Sequence, residues 1–247
     1  MKRLFMLSLM ITFIACTHQQ QAKTPPNKQV AQAPELIFPE IVYERPIFKK
    51  RSLASIGAKL GNPIYIRIFK AEKILELWIK VGKSYKLYNT YPILKTSGVL
   101  GPKEYEGDRQ NPEGVYFVNL GRLNRFSKYH LAINIGYPNK VDRQLGRTGC
   151  DIMIHGSNKS IGCFAMGDIG IEDIYPIVYT ALDLGQKQFQ VVIYPFIMSA
   201  KNMQDYAMHP WYDFWKELKV GYNLFEKTKI PPKVHIKDGH YIFRAAR

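Results

Sequence analysis

Residues 63–94 read "PIYIRIFKAEKILELWIKVGKSYKLYNTYPIL". Pro63–Lys70, Ile74–Val81 and Tyr85–Leu94 each alternate apolar and polar residues in part, separated by the short breaks "AEK" and "GKS". A period of two is the pleat of a β-strand, and such short polar breaks join strands that run back on one another. The stretch therefore predicts an antiparallel meander. Working outward, Gly114–Leu120, His130–Pro138, Cys150–Gly156 and Phe189–Phe196 read as further strands. Asp168–Gly185 reads as a helix, capped by Asp168 and ended by Gly185, with Pro176 predicting a kink or a late start. Helical spacing resumes after Ser199 and breaks at Pro210, and Val234–Phe243 is a hairpin with Asp238-Gly239 at its tip. The fold class is α+β and β-rich. No βαβ pattern and no glycine-rich phosphate loop is present, which removes the nucleotide-binding α/β folds.

The chain has 247 residues, 46% hydrophobic and 22% charged, enough for a substantial core and unlike a disordered chain. Lys2 and Arg3 precede an apolar run from Leu4 to Ala15 that is too short to span a bilayer, and Cys16 follows. This is the layout of a secretory signal, 1–16. "FIAC" (Phe13–Cys16) resembles a bacterial lipobox, which implies lipid on Cys16; with Thr17 next, the resemblance implies the periplasmic side of a Gram-negative outer membrane. Residues 17–46, rich in Gln, Pro, Lys and Ala, read as a flexible tether reaching about 95 Å when stretched. Residues 47–197 form the expected main domain and 198–247 a C-terminal extension packed on it. The net charge of +15 suits an anionic partner. Export points away from nucleic acid and toward the cell wall and lipid headgroups, although a plain solvated surface accounts for the charge equally well.

The chemistry concentrates in "CDIMIHGSNKSIGCFAM" (Cys150–Met166). Strand alternation puts Ile152 and Ile154 on one face and Asp151, Met153 and His155 on the other. His155 ends the strand, Gly156 turns the chain, and "SIGC" leads back to Cys163. A thiol of pKa about 8.5 is a weak nucleophile at neutral pH until a base takes its proton. His155 can be that base for Cys163. Backbone N–H groups around Gly162 and Cys163 can hold an oxyanion. The imidazole needs an orienting partner. Asp151 is four residues away, about 13 Å along an extended strand, so a backbone carbonyl such as that of Gly156 fits better. His130, which also precedes a strand, competes as base or as a supporting group.

Three plainer readings stand beside this one. Cys150, His155, Cys163 and His130 could ligate zinc, but their spacing matches no common pattern, and no metal or cofactor is expected. A Cys150–Cys163 disulfide would block the nucleophile. Tyr206, Trp211, Tyr212, Phe214 and Trp215 could stack on sugars, but a helix face buried on the core explains them better.

"IHGSNKSIGCFAM" resembles the L,D-transpeptidase catalytic domain of YkuD type, with its "HG" pair and "S-x-G-C" turn; together with "YHLAINIGYPN" (Tyr129–Asn139) it is most similar to the YafK-type murein subgroup. The resemblance covers roughly Pro63–Pro195. It implies a β-sandwich-like fold with a flanking helix. By resemblance Cys163 is the nucleophile, His155 its base and Gly156 the carbonyl that orients it, while Ser160, Gly162 and Cys163 shape the oxyanion site. Two positions depart from the pattern: Ile161 stands where many members have histidine, and Ala165 where many have a substrate-holding arginine. Carboxylate recognition then falls to other residues, with Arg147, Lys159 and His130 as candidates. The implied activity is acyl transfer on peptidoglycan stem peptides, with a wall-linked lipoprotein as a further acceptor. The alternatives are hydrolysis by the same site (an L,D-carboxypeptidase, or an amidase that releases protein from the wall) and a catalytically idle wall-binding lipoprotein.

Overall fold

The computed structural model describes residues 38–40, 44 and 47–246. The expected signal, Cys16 and most of the expected tether lie outside the described residues. The meander is present as β1 (Ile64–Phe69), β2 (Ile74–Val81) and β3 (Ser84–Pro92), paired antiparallel in sequence order. The chain continues through β4 (Gly114–Val118), β5 (Leu123–Ser127), β6 (His130–Asn134), α1 (Lys140–Gln144), β7 (Met153–His155), β8 (Phe164–Ala165) and α2 (Gly167–Asp183). It ends with β9 (Phe189–Tyr194), α3 (Ala200–Asp205), α4 (Tyr212–Thr228) and the hairpin β10 (Lys233–Lys237) and β11 (His240–Arg244).

Two sheets result. The larger has the order β3-β2-β1-β9-β4, with β1 and β9 parallel, and the smaller has the order β5-β6-β7-β8, with β7 and β8 parallel. The pleat of β1 separates two cores. Ile64, Ile66 and Ile68 face a core shared with Ile133, Ile154, Phe164 and the α2 residues Ile171, Ile174 and Val178. Tyr65 and Phe69 face a second core shared with Tyr206, Trp215, Leu218 and Phe225. Strands buried on both faces read as near-continuous apolar runs, and every residue of β1 is buried. The segment after Ser199 thus covers the second face of the central sheet. Arg67, pointing into that second core, is held by Glu76 and by Glu226 of α4, each at 2.6 Å.

Three expectations change, and the one on the aromatic set holds. Helix α2 starts at Gly167 and runs through Pro176, so there is no late start. Its cap residue is Met166, and Asp168 instead accepts the Ser157 N–H at 2.7 Å. Phe38 and Pro39, inside the expected tether, lie against the extension: Phe38 stacks on Tyr206 with ring centroids 5.3 Å apart, and the Tyr206 hydroxyl donates to the Pro39 carbonyl. The aromatic set beginning at Tyr206 is core and brace, with Trp215 fully buried. Among the described residues no helix is long and apolar enough to cross a membrane.

Candidate active site

The small sheet brings His155 and Cys163 together. Ile154 pairs with Phe164 and His155 with Ala165 in parallel register, so Cys163 falls opposite Met153. Paired residues share a face, which puts the Cys163 and His155 side chains on the same side, one diagonal step (roughly 7–8 Å) apart. Met153 confirms the register, its N–H lying 3.4 Å from Cys163 Sγ. The thiol donates to the Asp151 carbonyl at 3.5 Å, and among the described residues no hydrogen bond joins it to the His155 ring.

His155 is buried beneath Tyr129, whose ring centroid is 4.9 Å away. Its Nδ1 lies 2.6 Å from the Gly156 carbonyl oxygen. Only an N–H can pair with a carbonyl, so Nδ1 carries the proton and Nε2 is left with a lone pair. Gly156 is itself boxed in. A Cβ there would meet Asp168 Oδ1 at 2.7 Å, the Tyr129 carbonyl at 2.9 Å and His130 Cβ at 3.0 Å. Glycine is therefore required by close packing, and that packing fixes the carbonyl.

The Cys163 turn is held from below. Asn111, 1% exposed, donates from Nδ2 to the Gly162 carbonyl at 2.9 Å and the Cys163 carbonyl at 2.8 Å. Its Oδ1 accepts the Ser97 N–H, and Ser97 Oγ accepts the Gly162 N–H at 2.7 Å. Ser160 donates its hydroxyl to the Cys163 carbonyl at 2.6 Å. The clamp extends into the C-terminal segment. Lys70 Nζ donates to the Asn111 carbonyl and to Glu113 Oε1, both at 3.0 Å, and Trp215 Nε1 donates to Glu113 Oε2 at 2.7 Å. A buried chain of hydrogen bonds thus links α4 to the cysteine turn, and pocketed polar groups of this kind rigidify only when all are satisfied.

This arrangement redistributes the expected roles. The Gly162 N–H is engaged by Ser97 and the Ser160 hydroxyl by the Cys163 carbonyl, so both residues hold the turn. The Cys163 N–H has no acceptor among the described residues. Arg147 is withdrawn from substrate recognition: it is buried, paired with Asp142 at 2.9 Å, and lies over the rings of Trp211 and Phe214. His130 is a brace, with Nε2 2.9 Å from Glu172 of α2. Lys159 is exposed on the turn before Ser160. Cys150 and Cys163 are not joined by a disulfide. Among the described residues no three His, Cys, Asp or Glu side chains converge as metal ligands. Asn111 and Ser97 carry no local motif; their partners lie 51 and 65 residues away.

Burial sets the electrostatics. It pushes the Cys163 thiol above its ordinary range, with Asp151 adding to the rise and the Met153 N–H and Lys103 opposing it. Burial also lowers His155, against the Gly156 carbonyl bond. Both shifts favour a neutral thiol beside a neutral imidazole in the resting state.

No family model matches the chain. Over 183 residues, 74% of this chain and 74% of the relative, it is 47% identical to the Escherichia coli K12 protein named "Putative L,D-transpeptidase YafK", and equally to its O157:H7 counterpart. The chain belongs to the L,D-transpeptidase family. As an enzyme of that family it has an α+β, β-rich fold. Among solved structures it is similar to the helical cell shape determining protein Pgp2 of Campylobacter jejuni, at 21% identity and a TM-score of 0.44 over 75% of this chain and 79% of that one. A point mutant of Pgp2 matches at 22% and 0.44 over 70% of this chain and 64% of that one, just under two thirds. Likeness at this level carries no functional weight, and the L,D-transpeptidase assignment rests on the sequence relative.

Proposed function

We propose that this L,D-transpeptidase-family chain is an exported cysteine acyltransferase acting on peptidoglycan stem peptides. The observation that carries the proposal is the His155–Cys163 pair on one sheet face, with Nδ1 fixed by the Gly156 carbonyl and Nε2 left as the base. The relative's name supports the reaction class, and the apolar leader ending at Cys16 supports export, with a lipid anchor on the periplasmic side of the outer membrane.

The chemistry runs in two halves. Rotation of Cys163 about its Cα–Cβ bond swings Sγ from the Asp151 carbonyl toward His155, a motion on the picosecond-to-nanosecond scale for a side chain. His155 Nε2 takes the thiol proton as sulfur attacks the carbonyl on the L-configured centre of a stem diamino acid. An S–C bond forms, and the oxyanion faces the Cys163 N–H. His155 then returns the proton to the departing amine of D-alanine, the C–N bond breaks, and a thioester remains. An amine from another stem, or from a wall-linked lipoprotein, resolves it as a transpeptidase. Water resolves the same thioester as a hydrolase.

Mass spectrometry of muropeptides incubated with the chain distinguishes these outcomes, because cross-linked, shortened and protein-released products differ in mass. Cys163→Ala is expected to abolish every product. Unchanged turnover by Cys163→Ala would reject the proposal, and wall binding without turnover by the native chain would make it an idle anchor.

A further inference from the structure

The hairpin of β10 and β11 presents one basic face. Its pleat turns Val234, Ile236, Tyr241 and Phe243 toward the second core and leaves Lys233, His235, Lys237, His240, Ile242 and Arg244 exposed. The register sets Lys233 directly opposite Arg244, with Lys237 about 13 Å further along the same strand. Like charges directly opposite each other destabilise a ladder. The ribbon therefore gathers cations against the interest of its own fold.

The carboxylates of α4 do not answer these charges. Glu226 is taken by Arg67 and Lys229, and Glu217 by His240. Among the described residues Lys233, Lys237 and Arg244 have no ion-pair partner, and Asp238 at the tip is the one acid in the hairpin sequence. The face is a firm platform. A Cβ on Gly221 of α4 would lie 2.5 Å from the Phe243 ring, so hairpin and helix are in close contact. Past the end of α4, the Tyr85 N–H donates to the Lys229 carbonyl at 2.7 Å, which joins the β2–β3 hairpin to the chain entering β10. A cavity of about 480 Å³ opens at that junction, lined by Lys80, Gly82, Lys83, Tyr85, Ile230 and Pro231. Both of its lysines are exposed, and among the described residues neither has an ion-pair partner.

We infer that this face docks on an anionic lipid surface, with Lys233, Lys237 and Arg244 set against the headgroup phosphates. Unanswered positive charge selects an anionic partner. Apolar groups among the cations select a lipid over a hydrophilic polyanion. Ile242, 39% exposed, lies in the pair between Lys233–Arg244 and Lys237–His240, and Tyr85, Ile230 and Pro231 line the cavity with Lys80 and Lys83. Lysine and arginine stems can lie along apolar surface while their heads stay at the phosphates. Each cation held near an anionic leaflet strengthens attachment about fivefold, so these three together supply about 100-fold. The inference is independent of the cysteine chemistry, and the anchor proposed at Cys16 places such a surface within reach.

The test is amine footprinting of the full chain, read lysine by lysine by mass spectrometry, on vesicles of phosphatidylcholine alone and of phosphatidylcholine mixed equally with phosphatidylglycerol. Labelling of Lys233 and Lys237 is expected to fall several-fold on the anionic vesicles only, while Lys128, between β5 and β6, labels alike on both. Salt at about 1 M, which shortens the screening length to about 3 Å, is expected to restore the labelling. Lys233→Glu sets a carboxylate opposite Arg244, so the chain is expected to keep or gain stability in denaturant unfolding while the protection of Lys237 weakens about 25-fold, two charges at about fivefold each. Equal labelling on the two vesicles, or protection that Lys233→Glu leaves intact, overturns the docking face. Protection by isolated peptidoglycan sacculi but not by anionic vesicles also overturns it, because the face then belongs to the wall. Each of these failures leaves the Cys163 mechanism standing.

Discussion

Asn111→Ala is the sharpest probe of how the fold builds the site. The side chain makes three bonds, two from Nδ2 to the Gly162 and Cys163 carbonyls and one from the Ser97 N–H to Oδ1. Ser160 still serves the Cys163 carbonyl after truncation. The Gly162 carbonyl and the Ser97 N–H lose their partners. Each such group costs about 1–3 kcal/mol when left unsatisfied in the interior. Asn111 also lines a cavity of about 550 Å³, so water can reach part of the damage. A loss of about 2–4 kcal/mol in urea unfolding is the expected outcome, with an unchanged m-value. The effect on turnover is larger than stability alone requires, because displacing the turn moves Sγ relative to His155. A misplacement on the order of 1 Å costs roughly 100-fold in kcat/KM. Asn111→Asp keeps the acceptor for Ser97 but sets a carboxylate oxygen against two carbonyl oxygens, and is expected to be at least as inactive while raising the Cys163 thiol further. If Asn111→Ala loses less than about 0.5 kcal/mol and less than about threefold in kcat/KM, the clamp does not hold the Cys163 turn.

Glu72, in the turn between β1 and β2, is 2% exposed, accepts the Ile197 N–H at 2.9 Å and has no partner for Oε2 among the described residues. Burial raises its carboxyl to about 7, so the folded state keeps a proton that the unfolded state releases near 4.5. The native state binds more protons between those values, and its stability falls as pH rises through that window. Relative to Glu72→Gln, the native chain is expected to lose about 2.5 kcal/mol between pH 5 and pH 8, measured by denaturant unfolding; parallel curves would refute the buried neutral carboxyl. Alkylation of Cys163 by iodoacetamide is expected to keep rising above pH 9, since burial raises the thiol and lowers His155; a plateau below pH 6 would instead reveal a preformed thiolate–imidazolium pair. Gly156→Ala forces a Cβ against the Tyr129 carbonyl and Asp168, and is expected to cost about 1–3 kcal/mol and more than tenfold in kcat/KM; wild-type kinetics would show that the Gly156 carbonyl does not position His155.

What was legible in the sequence follows from which interactions are local. The meander and the Asp238-Gly239 hairpin were readable because alternation and turn chemistry act over a few residues. Strand β8 and helix α1 were not, being two and five residues long and too short to show a period. The parallel pairing of β1 with β9 joins segments more than 100 residues apart, and nothing in either strand names its partner. The site divides in the same way. His155 and Cys163 sit in one short motif, whereas Ser97 and Asn111 act through backbone groups of that motif from distant loops. Arg147 was a candidate for carboxylate recognition; it is paired with Asp142, an interaction set by the α1 turn. Trp215 reads as one more aromatic on a helix until Glu113 and Lys70 are seen to carry its bond to Asn111.

Intact-protein mass spectrometry of the chain, quenched in acid after brief mixing with a diaminopimelate tetrapeptide muropeptide, tests the cysteine mechanism most directly. The expected result is a thioester adduct, equal in mass to the stem less D-alanine, mapped by digestion to Cys163 and missing from Cys163→Ala. His155→Ala is expected to slow its formation by roughly 100-fold or more. Turnover of the stem with no adduct on Cys163 at any quench time, or with an undiminished rate in Cys163→Ala, would contradict it.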